Sequence, residues 1–107
     1  MAFRILVAED EQITLNNIVE TLAEEGYQVT SAADGTEAQR RIEGGAFDLV
    51  ISDIKMPGRT GLELLESIRE LHPQTDVMLI TGYGSISAAV EAMRKGASDY
   101  VTKPFDL

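Results

Sequence analysis

The sequence predicts an α/β fold built on one parallel β-sheet, and three observations favour this class. Short apolar runs alternate along the whole chain with segments whose apolar residues recur at helical spacing. The connections between these segments are short and carry residues typical of turns and helix ends. The length of 107 residues gives room for one domain with one core.

Five segments are predicted to be strands. The first is a nearly continuous apolar run, as expected for a strand that is buried on both faces of a sheet. The predicted strands are Phe3–Ala8, Gln28–Ala32, Phe47–Ser52, Asp76–Ile80 and Ser98–Thr102.

Four helices are predicted between the strands from apolar residues spaced three and four apart. Their apolar stripes are Leu15, Ile18, Val19 and Leu22; Ala38 and Ile42; Leu64, Leu65, Ile68 and Leu71; and Ile86, Ala89, Val90 and Met93. Capping and stop signals bound these stripes. The signals are Gly26, Asp34, Gly44-Gly45, the capping box of Thr60 and Glu63, Pro73 and Gly96.

Strict alternation with short connections implies parallel strands joined by right-handed crossovers. Five strands in this length suit the flavodoxin-like doubly wound order, 2-1-3-4-5, rather than an eight-stranded barrel. The last residues, Phe105-Asp106-Leu107, look like the start of a fifth helix. We therefore expect residues 1–107 to form one domain of a chain that continues, with the fifth helix largely missing.

Composition narrows the function. The net charge of −9 argues against direct binding of nucleic acid, because phosphate binding needs a basic surface. The chain has no Cys, which excludes disulfides and thiolate metal sites. No apolar run is long enough to span a bilayer and no signal peptide is present, so we expect a cytoplasmic protein without membrane contact.

Polar side chains follow the ends of four predicted strands. They are the acidic pair Glu9-Asp10, then Asp53, Thr81 and Lys103. The carboxyl ends of parallel strands meet at one edge of a sheet, which is where such folds bind ligands. Three carboxylates, a hydroxyl and an ammonium would meet there, and this is a set that can bind a divalent cation and a phosphoryl group.

Carboxylates that lie a few ångströms apart repel one another unless a cation sits between them. Mg²⁺ suits such a cluster, and Mn²⁺ could replace it. We expect Asp10 and Asp53 to be direct ligands, with the backbone carbonyl of Lys55 as a further ligand and Glu9 acting through water. Taken singly, Asp53 could equally be a helix cap and Lys103 a surface residue.

Four segments in this order and spacing closely resemble the receiver domain of two-component response regulators, over essentially the whole chain. They are LVAEDE, DLVISDIKMPG, LITGYG and ASDYVTKPF. The resemblance implies that Asp53 accepts a phosphoryl group from a sensor histidine kinase. It also implies that Glu9 and Asp10 organise Mg²⁺, and that Thr81 and Lys103 are the switch hydroxyl and the phosphate-contacting lysine.

The resemblance assigns three further positions. Tyr100 falls on the aromatic switch position, while Lys55 and Tyr83 would tune how fast water reaches the phosphoryl group, although both could be solvated loop residues. The acidic pair is Glu-Asp rather than the commoner Asp-Asp, and the longer stem of Glu9 could alter the metal geometry.

The last third of the chain looks most like receivers of the nitrogen-regulator class, in which the receiver precedes an ATPase domain and a DNA-binding domain. The resemblance thus implies an output domain in the same full-length chain. Receivers often pair through the face of the fourth helix, fifth strand and fifth helix, and the sequence leaves open whether this chain forms such a homodimer.

Two other functions remain open from the sequence. One is a receiver fold that binds partners without being phosphorylated. The other is a Mg²⁺-dependent phosphatase with an aspartyl nucleophile, which would place a second Asp two positions after the first. Here that position is Lys55, which argues against a phosphatase. A receiver would catalyse only its own phosphorylation and dephosphorylation and is not a turnover enzyme.

Overall fold

The computed structural model describes residues 2–82 and 86–103. Within these residues five strands alternate with four helices, which confirms the predicted order of elements. The elements are β1 (Arg4–Ala8), α1 (Gln12–Glu24), β2 (Gln28–Ala32), α2 (Gly35–Gly44), β3 (Leu49–Asp53), α3 (Gly61–Leu71), β4 (Asp76–Thr81), α4 (Ile86–Arg94) and β5 (Asp99–Thr102). The predicted start of a fifth helix, residues 105–107, lies outside the described residues.

The five strands form one sheet in the order β2-β1-β3-β4-β5, and every neighbouring pair is parallel. The predicted doubly wound order is therefore confirmed. Because each crossover between parallel strands contains a helix, all strands run in the same direction and end at one edge of the sheet.

Side chains pack on both faces of the sheet. On one face, residues of α2, α3 and α4 form a core with β-strand residues such as Leu79, and Leu65 of α3 is fully buried there. On the other face, Ile18 of α1 packs near Val7 and Ile80. Each large apolar side chain removed from water in this way contributes about 1.5–3 kcal/mol to folding. The two layers hold the strand ends in fixed relative positions.

The third strand begins and ends later than its apolar pattern predicts. The prediction was Phe47–Ser52, whereas the strand runs over Leu49–Asp53. Phe47 is buried, with 8% of its surface exposed, but it packs from the preceding loop rather than from the ladder. At the other end, Asp53 still pairs with Ile80 of β4. Asp53 is therefore anchored by the sheet itself and does not belong to the following loop.

The other strand ends differ from the prediction by one residue or agree. β1 begins at Arg4 rather than Phe3, β4 extends to Thr81, and β5 begins at Asp99 rather than Ser98. The predicted bounds of β2 are confirmed.

Among the described residues, no helix combines the length and apolar character needed to cross a lipid bilayer.

Local capping explains where two helices begin. The Asp34 side chain accepts a hydrogen bond of 2.8 Å from the backbone N–H of Glu37, which caps α2 as predicted. Thr60 and Glu63 form the predicted capping box at the start of α3, with bonds of 3.2 and 2.9 Å. Gly26 follows α1 with a φ of 93°, a left-handed conformation that favours glycine after a helix.

Candidate functional site

The sheet brings the predicted site residues to one edge. Glu9 and Asp10 directly follow β1, Asp53 is the last residue of β3, and Thr81 is the last residue of β4. Lys103 follows β5, and its backbone N–H donates to the carbonyl of Thr81 at 2.8 Å. Neighbouring parallel strands that end together thus place three carboxylates, one hydroxyl and one ammonium at the carboxyl edge of the sheet.

The three carboxylates and the lysine form a compact cluster. One carboxylate oxygen from each of Glu9, Asp10 and Asp53 lies within 4.8 Å of the others. The Lys103 Nζ lies 2.5 Å from Glu9 Oε1 and 3.0 Å from Asp53 Oδ2. Glu9 is fully buried and Asp53 is 7% exposed, whereas Asp10 is exposed. The lysine therefore pairs with both inner carboxylates and offsets part of their negative charge, and Asp10 faces the solvent side.

Burial and pairing shift the ionisation of the two innermost groups. Burial raises the pKa of Glu9, the contact with Lys103 lowers it, and the neighbouring Asp53 raises it again, so that it reaches about 7. Burial opposes the charge of Lys103, but its contacts with Glu9 and Asp53 outweigh this effect, and its pKa is raised above the usual value. Lys103 therefore stays protonated in the cluster, while repulsion from Asp53 and burial disfavour the charged form of Glu9.

Backbone amides orient the same carboxylates. The N–H of Lys55 donates to Asp53 Oδ1 at 3.3 Å, while Lys103 donates to Oδ2. The N–H of Glu11 donates to Glu9 Oε2 at 3.2 Å. Each oxygen of Asp53 therefore has a defined donor, so the carboxylate is held in one orientation.

A cavity of about 480 Å³ opens beside Asp53. It is lined by Asp10, Glu11, Asp53, Lys55, Gly82 and Lys103. Mg²⁺ prefers oxygen ligands and usually takes one or two carboxylates together with water and a phosphate oxygen. The cavity supplies carboxylates beside open space, so the donor set fits this ion.

Thr81 and Tyr100, the predicted switch residues, lie on the neighbouring strands β4 and β5. Thr81 is 2% exposed and pairs with Thr102, and Tyr100 pairs with Leu79, so Thr81 and Tyr100 project from the same face of the sheet. Tyr100 is half-buried against the core, and its hydroxyl is shielded from solvent without a hydrogen-bond partner in the described part of the chain. Tyr83 lies outside the described residues.

Two residues that line the cavity were not among the predicted site residues. Glu11 contributes through its backbone and also contacts the Thr14 hydroxyl with its side chain. The run Glu9-Asp10-Glu11 was a visible signal, since it contains a third acid. Gly82 also lines the cavity, and its lack of a side chain gave no chemical signal.

Comparison with known proteins identifies the family. The family model of the response regulator receiver domain matches residues 5–107. The chain belongs to this family. As a receiver domain it is a phosphorelay switch module, and the transcriptional regulators among its relatives indicate that such a switch controls an output domain.

Individual relatives support this assignment to the receiver family. The response regulator protein FleR of Pseudomonas aeruginosa is 41% identical over 106 residues, which is 99% of this chain and 22% of FleR. The transcriptional regulatory protein TcrA of Mycobacterium tuberculosis is 38% identical over 97% of this chain and 41% of TcrA. The receiver domain thus spans less than half the length of these relatives.

Solved structures agree with the fold. A CheY-like receiver domain protein from Methanospirillum hungatei is 36% identical, with a TM-score of 0.94, and the match covers 99% of this chain and 85% of that one. NtrX from Brucella abortus is 39% identical, with a TM-score of 0.88, and the match covers 99% of this chain and 24% of NtrX. The presence of NtrX among the relatives is consistent with a receiver of the nitrogen-regulator class.

Proposed function

We propose that this receiver accepts a phosphoryl group on Asp53 from the phosphohistidine of a sensor histidine kinase, in a Mg²⁺-dependent reaction. The observation that supports it best is the setting of the Asp53 carboxylate. One of its oxygens accepts from the Lys55 amide and the other from the Lys103 ammonium, at the wall of an acidic cavity.

The reaction is a phosphoryl transfer between two side chains. An oxygen of Asp53 attacks phosphorus, the bond between phosphorus and the histidine nitrogen breaks, and the imidazole leaves with the electron pair. Lys103 stabilises the charge on the transferred group, since its ammonium already lies 3.0 Å from Asp53. The aspartyl phosphate is later hydrolysed. Water attacks phosphorus, the aspartyl oxygen leaves, and inorganic phosphate is released.

The acidic cluster would hold the metal. Asp10, Asp53 and the carbonyl of Lys55 are the proposed ligands, with Glu9 acting through water. When bound, Mg²⁺ supplies positive charge next to the phosphoryl oxygens. Glu9 also pairs with Lys103 at 2.5 Å. We therefore propose that Glu9 positions this lysine in addition to contacting the metal through water.

The proposed switch links the phosphoryl group to Thr81 and Tyr100. The Thr81 hydroxyl moves towards the new phosphoryl oxygens, and Tyr100 rotates towards the space that it leaves. The buried Tyr100 hydroxyl supports this proposal, because a shielded polar group without a partner in the described residues gains from moving to a place where it is hydrogen-bonded. Lys55 and Tyr83 are proposed to tune hydrolysis.

The proposed partners are those expected of a receiver domain. They are a sensor histidine kinase in the cytoplasm, an output domain in the same full-length chain, and a second receiver bound through the face that contains α4 and β5. Exposed apolar residues on α4 support the last of these, since Ile86 is 86% exposed and Met93 is 48% exposed.

Phosphate incorporation from a small phosphodonor and Mg²⁺ tests the acceptor. We expect Asp53→Asn to lose incorporation, measured as the mass gain of one phosphoryl group. Asp99→Asn, at an exposed position at the start of β5, is the matched control and should incorporate phosphate like the unaltered protein. Unchanged incorporation in Asp53→Asn would rule out this acceptor.

Beryllofluoride with Mg²⁺ mimics an aspartyl phosphate and tests the switch separately. We expect large amide chemical-shift changes at Thr81 and Tyr100, and small ones at His72, which caps the far end of α3. A receiver fold that only binds partners would show no such changes.

A further inference from the structure

The loop between β3 and α3, residues 54–60, carries the proposed metal ligand Lys55 and is fixed at its base. The N–H of Ile54 donates to the Ile80 carbonyl at 3.1 Å, and the N–H of Gly61 donates to the Ile54 carbonyl at 2.8 Å. A Cβ at Gly61 would lie 2.5 Å from the carbonyl oxygen of Asp53. The two ends of the loop are therefore hydrogen-bonded to each other, and Gly61 packs closely against the backbone of Asp53.

The tip of the loop rests on a different element, the first turn of α2. The N–H of Gly35 donates to the Pro57 carbonyl at 2.9 Å. A Cβ on Gly35 would lie 2.5 Å from the backbone nitrogen and 2.6 Å from the carbonyl carbon of Arg59, and nearer still to its carbonyl oxygen. Real Cβ atoms do not approach backbone so closely, so only glycine permits this contact.

The contact is close on both sides. A Cβ on Gly58 would lie 2.9 Å from the backbone nitrogen of Thr36 and nearer still to its hydroxyl. Gly58 also has a φ of 84°, which favours glycine. Two glycines that are 23 positions apart thus allow the loop and the helix to meet backbone to backbone.

The first turn of α2 is itself well anchored. Asp34 caps it, and the Glu37 side chain accepts a hydrogen bond of 2.8 Å from the N–H of Ala33. Ala38 of the same helix is fully buried in the core. The turn can therefore act as a fixed support on which the loop rests.

We propose that the first turn of α2 positions the metal site, with Gly35 as the positioning residue that sets where residues 54–60 carry Lys55 relative to Asp53. This inference rests on the proposed Mg²⁺ site. A side chain at Gly35 would push the Arg59 backbone away by about 1 Å, and changes in groups that orient metal ligands typically cost about 10- to 100-fold in metal affinity. No atom of Gly35 needs to touch the metal or the phosphoryl group for this to occur.

The test compares Gly35→Ala with Gly44→Ala. Gly44 is the last residue of the same helix, and a Cβ there would meet no atom within 4 Å. Mg²⁺ titration followed by the amide shifts of Asp53 and Lys55 should give affinity that is weaker by about 10-fold or more in Gly35→Ala, as for residues that orient metal ligands. Gly44→Ala should bind Mg²⁺ like the unaltered chain.

Phosphorylation by a small donor supplies a readout that a general loss of structure would not give. In Gly35→Ala the slow rate should recover as the Mg²⁺ concentration is raised, because the defect lies in metal binding. A rate that stays low at saturating Mg²⁺, or an affinity equal to that of Gly44→Ala, would overturn the inference.

A measurement on the unaltered chain covers the case in which Gly35→Ala fails to fold. Coupling between two sites is reciprocal, so Mg²⁺ binding should slow hydrogen exchange at the Gly35 amide, which donates to Pro57. The Ala38 amide, which donates to the backbone carbonyl of the cap residue Asp34, should not change. Unchanged exchange at Gly35 while the Asp53 shifts report bound Mg²⁺ would refute the coupling, whereas no Mg²⁺-dependent shift at Asp53 at all would refute the proposed function itself.

Discussion

The ammonium of Lys103 lies between Glu9 and Asp53, and Lys103→Met removes its charge with little change in side-chain length. Two unit charges about 4 Å apart interact by about 4 kcal/mol at the effective dielectric constant of a protein surface. Removing one partner of a buried pair costs about 3–5 kcal/mol. Because the Lys103 side chain is 21% exposed, we expect a cost at the lower end of this range. Lys103→Met should lower the free energy of unfolding by about 3 kcal/mol at pH 8.

The loss of unfolding free energy in Lys103→Met should be smaller at pH 5 than at pH 8. The direction of this pH dependence follows from the raised pKa of Glu9. Its pKa of about 7 is above the ordinary 4.5, so the folded state holds a proton that the unfolded state releases, and stability falls as pH rises from 4.5 to 7. The slope is at most about 1.4 kcal/mol per pH unit. Without Lys103 the pKa of Glu9 rises further, so the fall continues to higher pH and the difference between variant and unaltered protein widens.

Urea unfolding in EDTA at both pH values, followed by circular dichroism, measures this difference. The matched control is Lys95→Met, since Lys95 forms an exposed ion pair with Glu66 at 2.6 Å. Exposed pairs contribute about 0–1 kcal/mol, so the control should lose little at either pH. An equal loss for Lys103→Met at pH 5 and pH 8, or a loss no larger than that of the control, would refute the electrostatic account of the cluster.

Two further changes test local features. Thr60→Ala removes the hydroxyl half of the capping box and should cost about 1 kcal/mol of unfolding free energy, measured by urea titration; no loss would mean that the capping box does not stabilise α3. Tyr100→Phe removes a buried hydroxyl that has no partner in the described residues, so the unfolding free energy should stay the same or rise by up to about 1 kcal/mol. A clear loss in Tyr100→Phe would mean that the hydroxyl is hydrogen-bonded in solution.

Local signals and chain topology predicted most of the fold. The caps at Asp34 and Thr60 involve residues three positions apart, so the sequence carries the whole interaction. The strand order follows from the alternation of strands and helices, since few arrangements satisfy right-handed crossovers. The sequence wrongly assigned Phe47 to a strand. Buried positions favour apolar residues in strands and in loops alike, so the apolar pattern does not distinguish the two.

The same reasoning predicted that these polar side chains meet at one edge of the sheet, but it did not predict the contacts among them. The carboxyl edge of the sheet brings Glu9, Asp53 and Lys103 together whatever their rotamers. That Glu9 turns inward to Lys103 could not be predicted, because β1 is buried on both faces and its pattern does not tell which way the next residue points. The contact between Gly35 and Arg59 depends on a loop and a helix that are distant in sequence, and no periodic pattern reports it.

The pairing of Lys103 with Glu9 and Asp53 has a consequence for how the domain is made. The chain supplies one counterion of its own to the acidic pocket, so we expect it to reach the native state without added Mg²⁺. Under the proposed function, we therefore expect Mg²⁺ to be required for phosphoryl transfer and not for folding.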